Sequence, residues 1–388
     1  MPVRISKPAF NLRSKLSELD VPIGSHGGQL MKSSSAEETF DLLGLSSGKR
    51  NVIVNGAMRF NQRGKSSYDS ADYTLDRWRY HRSTDGEFDI KPSTVAPPGF
   101  SNSLHVDCKV ASGTVSSGAY ARLRYFIEGY DCQRFGKGTS KPKNFCLSFY
   151  AKSNCPGTYS VCLLDQTNST RVITRNYTIR DDEWHRYVIV FPNETAYPIA
   201  NSNATGIEIQ FGLTHGSNYN GGEGRDGWTA YAENKLHSGA SVNLYARTDN
   251  NWYLTGVQLE VGDVTTPFEH LSYGEDLARC QRYYQQIGPA SSARYVLFGA
   301  GNGNARIRGI RQLVPEMRIA PTANHDTSSE SPSFYSYSGS PPSYTSVNSI
   351  TTLPESFAWD FNTSTHNQAG HPFDVKGSGA FITLNAEM

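Results

Sequence analysis

Apolar residues return at every second position through much of the first two-thirds of the chain. From Asn251 onward, Trp252, Leu254, Gly256, Gln258 and Glu260 alternate with Tyr253, Thr255, Val257, Leu259 and Val261. A period of two with one richly apolar face predicts a half-buried strand, closed by Gly262-Asp263 and Pro267. At Ser272 the period changes. Ser272 and Glu275 stand at capping-box spacing, and Leu277, Cys280, Tyr284 and Ile287 follow at intervals of three, four and three before Gly288. That spacing predicts one amphipathic helix over 272–287. The strand and helix together bracket two units.

Upstream, further alternating runs are Ala121/Leu123/Tyr125/Ile127, Phe145/Leu147/Phe149/Ala151, Tyr187/Ile189/Phe191 and Ile207/Ile209/Phe211/Leu213. Val52–Val54, running into the turn dipeptide Asn55-Gly56, and 58–64 read as strands as well. Turn-formers such as Asn154-Cys155-Pro156-Gly157 separate the runs, and no helical period intervenes. The pattern predicts an all-β class: an antiparallel jelly-roll sandwich over 51–270. The glycine-rich loop from Gly216 to Gly227 is expected to project from it.

Residues 271–388 are expected to hold the helix and a smaller C-terminal β unit, with strands at Arg294–Phe298, Ala305–Leu313 and Ala380–Leu384. The stretch from Ser328 to Ser346 is mostly Ser, Tyr, Pro and Gly, too polar to fill a core. Residues 1–50 carry scattered Pro and Gly, and the capping-box spacing of Ser35 and Glu38 predicts a short helix stopped by Gly44. With little apolar surface, this segment reads as an extended attachment segment that orders against a neighbour.

The bulk numbers narrow the classes. Lys+Arg 37 against Asp+Glu 36 leaves a net charge of +1, which gives no electrostatic case for nucleic acid. No apolar run approaches the roughly 20 residues of a membrane span, so membrane insertion is not expected. Aromatics at 12%, with Tyr 22 and Gly 35, suit a turn-rich β protein with broad contact surfaces. Six cysteines lack C-x-x-C spacing, and no secretion signal precedes them, which favours reduced, buried thiols.

No catalytic pattern emerges. Gly-x-Ser-x-Gly, His-Glu-x-x-His and a P-loop are absent, the ten histidines are scattered singly, and no ligand spacing names a metal or other cofactor. Asp181, Asp182 and Glu183 read as a charged turn. The aromatics are more informative. Trp78, Trp184 and Trp252 fall in strand patterns and are expected in the core. Trp359, Tyr335, Tyr337 and Tyr344 lie in the polar tail, and Trp228 follows the glycine-rich loop. Aromatic faces in such places suit contact with a sugar or a protein, so these five are the candidate receptor contacts, with 325–375 favoured over the 216–228 loop.

Four stretches carry a family resemblance. They are the leader Ile5–Asp20 with Glu37–Gly44; Val54–Gly64 with Tyr73–Trp78; Gly256–Gly262 through Pro267-Phe268-Glu269 to Cys280–Gln285; and Met317–Thr322 with the terminal Asn385-Ala386-Glu387-Met388. In that order the chain resembles virion fibre or tail-fibre proteins of bacteriophages, especially marine and cyanobacterial podoviruses. The resemblance implies a carbohydrate-binding-module-like jelly roll, commonly in a homotrimeric fibre. It also implies attachment to phage tail or capsid proteins through residues 1–50, and a host-surface glycan or receptor as partner. The location implied is the virion, after synthesis in the bacterial host cytoplasm. No catalytic residue and no cofactor carry over, so a non-enzymatic role is expected. Two other readings stay open: a capsid-attached fibre or decoration protein with a purely structural role, and a polysaccharide depolymerase. The chain lacks the repetitive β-helix typical of spike depolymerases.

Overall fold

In a computed structural model, the protein is described over residues 25–33, 39, 49–69, 71–83, 85–167, 171–222, 226–287, 294–301, 304–325, 333–336, 344–364, 372–377 and 382–388. The expected helix after Ser35 and most of residues 1–50 lie outside these. Two antiparallel sheets face each other. One orders β1 (Trp78–Arg82), β4 (Tyr120–Glu128), β9 (Thr205–His215), β6 (Gly157–Asp165), β7 (Arg171–Ile179) and β10 (Thr229–Ala230). The other orders β2 (Glu87–Ser93), β3 (Ser103–Val110), β11 (Asn251–Val261), β5 (Phe145–Ser153) and β8 (His185–Phe191). The chain crosses repeatedly between the sheets, with β2–β3 and β6–β7 as hairpins within one sheet, as in a jelly roll. The inner faces enclose one core, with Trp78, Trp252, Phe149, Phe211 and Tyr159 fully buried.

The closing strand runs over the predicted residues, but its faces exchange partway. Register slips between Thr255 and Gln258, where Gly256 adopts φ +61°. Trp252 and Leu254 point into the core before this bulge, and Val257 and Leu259 after it. One extra residue in a period-two pattern inverts the side-chain phase. A Cβ on Gly256 would lie 2.7 Å from the Phe100 ring, so glycine is required twice over.

Residues 51–60 form no strand, contrary to the strands expected at Val52–Val54 and 58–64. They make a buried coil held by asparagine side chains. Asn51 Nδ2 donates to Val257 O and its Oδ1 accepts from Leu259 N, both at 3.1 Å, beside the bulge. Asn55, at φ +56°, accepts from Phe60 N and donates to Phe60 O and Asp76 O. The apolar residues there fill the core, which alone satisfies the hydrophobic pattern.

The helix spans Tyr273–Gln281, with Ser272 Oγ accepting from Glu275 N at 3.4 Å as the spacing implied. It is shorter than expected. Tyr284–Ile287 is a strand, β12, paired with β20 (Ile382–Asn385), because β-sheet partners become available from the C-terminus. A three-stranded sheet orders β12, β20 and β15 (Thr322–His325). A six-stranded sheet orders β16 (Ser333–Ser336), β19 (Pro372–Gly377), β13 (Arg294–Gly301), β14 (Arg306–Gln312), β18 (Ser356–Thr363) and β17 (Tyr344–Leu353). Between them lies a second core of Ile287, Leu297, Ile307, Met317, Phe357, Trp359, Phe361, Ile382 and Leu384. The tail therefore has a core that its Ser/Tyr/Pro/Gly stretch concealed. No helix among the described residues is long and apolar enough to cross a membrane.

Candidate functional site

The residues nominated from sequence do not gather into one place. Trp359 is 2% exposed, inside the second core, and Trp228 is 9% exposed, donating from Nε1 to Pro192 O at 2.8 Å. Neither presents a ring face at the surface. Both lie in local patterns that bury them: Phe357, Trp359 and Phe361 alternate on β18, and Trp228 seals the sandwich edge against Phe145. Tyr344 is half-buried, edge-on to Phe361. Tyr335 stands on β16 opposite Asp374, and Tyr337 lies outside the described residues. Trp184, expected in the core, instead lies half-buried on the outer face of the second sheet, edge-on to Tyr253, whose ring stacks on His105 at 4.2 Å.

A more organised arrangement occupies the outer face of the first sheet. Alternation on β4 sends Ala121, Leu123, Tyr125 and Ile127 inward, so Tyr120, Arg122, Arg124, Phe126 and Glu128 point outward. Cross-strand register then sets two rows. His81, Arg122, Gly212 and Ser160 form one, and Arg79, Arg124, Gln210 and Cys162 the next. The loop expected to project from Gly216 to Gly227 does not do so in its described residues, which continue to Ala240 as one cover. It folds over the β6–β7 half of this face, where Leu236 packs on Cys162, Leu164 and Val172. Thr174 Oγ1 donates to Lys235 O at 2.8 Å, and β10 pairs with β7. Gly212 makes room beneath, because a Cβ there would meet His215, His237 and Ser160 side-chain atoms at 2.6 Å. Along the step between the halves, Arg79, His81, Tyr120 and Arg124 are partly exposed above buried Arg122, Gln210 and Glu208, and this strip is called the trough below.

Polar side chains floor this trough. Arg122 Nη1 donates to Gln210 Oε1 at 3.1 Å, Gln210 Nε2 donates to Glu208 Oε1 at 2.7 Å, and Arg124 forks onto both Glu208 oxygens. Gln166 also donates to Glu208. Aromatic rings border it. Tyr120 meets Tyr219 edge-on at 5.1 Å, and the Arg122 guanidinium lies 4.5 Å from the Tyr120 ring centre. Tyr231, 42% exposed, stands at the loop edge.

The electrostatics are one-sided. Burial, then Arg122, Arg124 and Arg79, hold the His81 imidazolium pKa down to about 4. His81 is therefore neutral near pH 7. Its Nδ1 lies 3.5 Å from Arg122 Nη2, which can only donate, so the ring proton belongs on Nε2, 3.2 Å from Tyr120 OH. Burial and the adjacent Arg124 also lower the Arg122 pKa.

Sequence reading missed this site because its parts are dispersed over β1, β4, β9 and a loop. The outward positions of Ala121/Leu123/Tyr125/Ile127, namely Arg122 and Arg124, were the available signal. Elsewhere, the carboxylates of Asp69, Glu87 and Asp89 converge, but Lys109 Nζ sits among them, 3.0 Å from Asp69 and 2.9 Å from Glu87.

No protein-family model matches the chain, and no curated protein does. Among solved structures, part of the fold resembles the enzymatically active domain of bacteriophage CBA120 tailspike protein 4, at 15% identity over 54% of this chain and a TM-score of 0.29. That match spans 21% of the tailspike chain. It also resembles the family 11 carbohydrate-binding module of a Clostridium thermocellum cellulosomal cellulase, at 11% identity, 52% and 96% coverage and a TM-score of 0.28. A third is TmCBM61, solved with β-1,4-galactotriose, at 9% identity, 55% and 99% coverage and 0.28. The jelly-roll assignment itself rests on the strand order.

Proposed function

We propose that this chain is the subunit of a homotrimeric virion fibre that binds a host-surface glycan through the trough on the first sheet, without cutting it. One observation carries the reading. A partly exposed strip of sheet lies beside a folded-over loop, with buried, hydrogen-bonding Arg122, Gln210 and Glu208 as its floor and Tyr120, Tyr219 and Tyr231 along its edge. Tyrosine rings offer apolar faces to the C–H side of a pyranose, while the floor answers its hydroxyls. The virion role, and attachment to tail or capsid proteins through residues 1–50, are supported by the ordered family signatures along the chain.

Competition of host adsorption by purified protein tests this. Tyr219→Ala and Tyr231→Ala should each weaken competition about 5- to 30-fold, as contacts worth roughly 1–2 kcal/mol do. Reducing-end release from host polysaccharide should stay at background. If Tyr337→Ala or Tyr344→Ala abolishes competition while the trough variants do not, recognition belongs to the C-terminal unit. A steady rise in reducing ends would make the protein a depolymerase.

A further inference from the structure

Three cations are buried among the described residues: Arg77, Arg122 and Lys137. Two are matched by carboxylates. Arg77 pairs with Glu387, and Lys137 pairs with Asp165 at 2.7 Å and Glu194 at 2.8 Å. Arg122 differs. Glu208, the carboxylate two rows along the sheet opposite Phe126, is engaged by both prongs of Arg124. Beyond the Tyr120 and Tyr219 rings, Arg122 has only the neutral Gln210 and His81 as hydrogen-bonding partners, and its Nε has none among the described residues. Arg79, at the trough's far edge, likewise forms no ion pair among the described residues, and its Nε is unpartnered. With Glu208 and the exposed loop-edge Glu233 both counted, three arginines face two carboxylates.

A buried cation without a carboxylate of its own is held at a cost in stability, which the Tyr120 and Tyr219 rings and the Gln210 hydrogen bond offset only in part. The cost makes sense where a ligand supplies the missing charge. Resting on the glycan-binding reading above, we infer that the trough is built for an acidic saccharide, whose carboxylate or sulfate provides the counter-charge that Arg122 lacks. A guanidinium suits this task because its planar fork matches either oxyanion with two parallel hydrogen bonds. The desolvated setting strengthens the pairing, and a neutral sugar would leave the charge unanswered. His81, kept neutral by the same positive surroundings, cannot compete as a second cation, so discrimination falls to the arginines.

The test uses the full chain on an array of neutral, uronate-bearing, sialate-bearing and sulfated saccharides, followed by calorimetry on the tightest binder. Binders should be confined to the acidic members, and the uronate, sialate and sulfate arms identify which oxyanion is read. Carboxyl reduction or desulfation of that binder should lower affinity at least tenfold. Arg122→Gln should lower it by a similar factor with Tm unchanged or higher, since an uncompensated charge has been removed, and Arg122→Lys should restore part. Tyr231→Ala should weaken binding whatever the ligand's charge. A neutral binder that responds to Tyr231→Ala but not to Arg122→Gln overturns the inference and leaves the trough reading standing. So does an acidic binder that keeps its affinity after its charge is removed, a result that needs no variant to fold. Absence of any binder, or binding indifferent to both substitutions, overturns the trough and the inference together.

Discussion

Replacing Trp359 by alanine is expected to cost stability in the C-terminal unit, not recognition. The indole leaves β18 and crosses two neighbouring strands. A Cβ on Gly309 of β14 would lie 2.5 Å from Trp359 Cζ2, and one on Gly299 of β13 would lie 2.4 Å from Cη2. Two glycines on adjacent strands thus form the bed for one ring, which packs on Phe361 at 4.8 Å. A tryptophan of this burial removes about 200 Å² from water, worth about 5 kcal/mol at roughly 25 cal/mol per Å². Its Nε1 is buried without a partner and offsets about 1 kcal/mol or more of that. The glycine bed leaves little side chain to collapse into the gap, so the net loss should be about 3–4 kcal/mol. Urea unfolding followed by hydrogen exchange on β14 and β18 would read it, with the sandwich strands keeping their protection. Gly309→Ala should destabilise the same unit, and the double variant should cost less than the sum because the ring clash disappears. A loss below about 1 kcal/mol, accompanied by weaker host adsorption, would refute the packing argument and return Trp359 to the surface as a contact.

Acid sensitivity should come from the paired imidazoles under the 216–240 loop. His215 and His237 stack at 3.6 Å, each with Nε2 unpartnered, and burial holds both pKa values well below 6.5. Below pH 6.5 the unfolded chain takes up protons that the fold refuses, so stability falls by up to about 1.4 kcal/mol per pH unit per ring. Thermal melts of wild type and His237→Gln between pH 7 and 5 check this, and parallel slopes for the two would contradict it. Gly256→Ala should destabilise the sandwich by about 2 kcal/mol or more, from a left-handed backbone and the clash with Phe100 and Tyr150. Chemical denaturation measures it, and a neutral result would mean the β11 bulge can be remodelled.

The sandwich was legible because burial on one face writes a period of two, and β4, β5, β9 and β11 all display it. The pattern failed where something other than a ladder buried the residues. Val52, Ile53 and Val54 are apolar for the core, yet Asn51 and Asn55 side chains take the place of a strand partner. Tyr284 and Ile287 fit a helical stripe as well as a strand, and only the distant β20 decides between them. On β18, Phe357, Trp359 and Phe361 carried a plain alternation, masked by the polar stretches around it. The trough could not be assembled from sequence at all. Its rows depend on the registers of β4 with β1 and β9, and on a loop whose glycines suggest projection while Leu236 draws it down.

Register also ties the trough to the joint between the two units. The outward row of β4 starts at Tyr120, Arg122 and Arg124 and ends at Glu128, roughly 20 Å from Arg122 at about 3.4 Å per residue. Glu128 accepts from Arg282 Nε at 3.0 Å, Arg282 Nη2 at 2.9 Å and Tyr283 OH at 2.6 Å, just after the helix. The Tyr283 ring lies 3.5 Å from the Arg77 guanidinium, which donates to Glu387 and to Phe126 O on the same strand. Arg318 donates to Ala386 O and Glu387 O, and to Asn203 O before β9. A one-residue slip of β4 would carry Arg122 and Arg124 into the core and withdraw Glu128 from the joint at once. The same alternation that buries Leu123 and Tyr125 therefore fixes the cations in the trough and the carboxylate at the joint. The cations of the trough and the carboxylate of the joint share one strand that cannot shift without unmaking both.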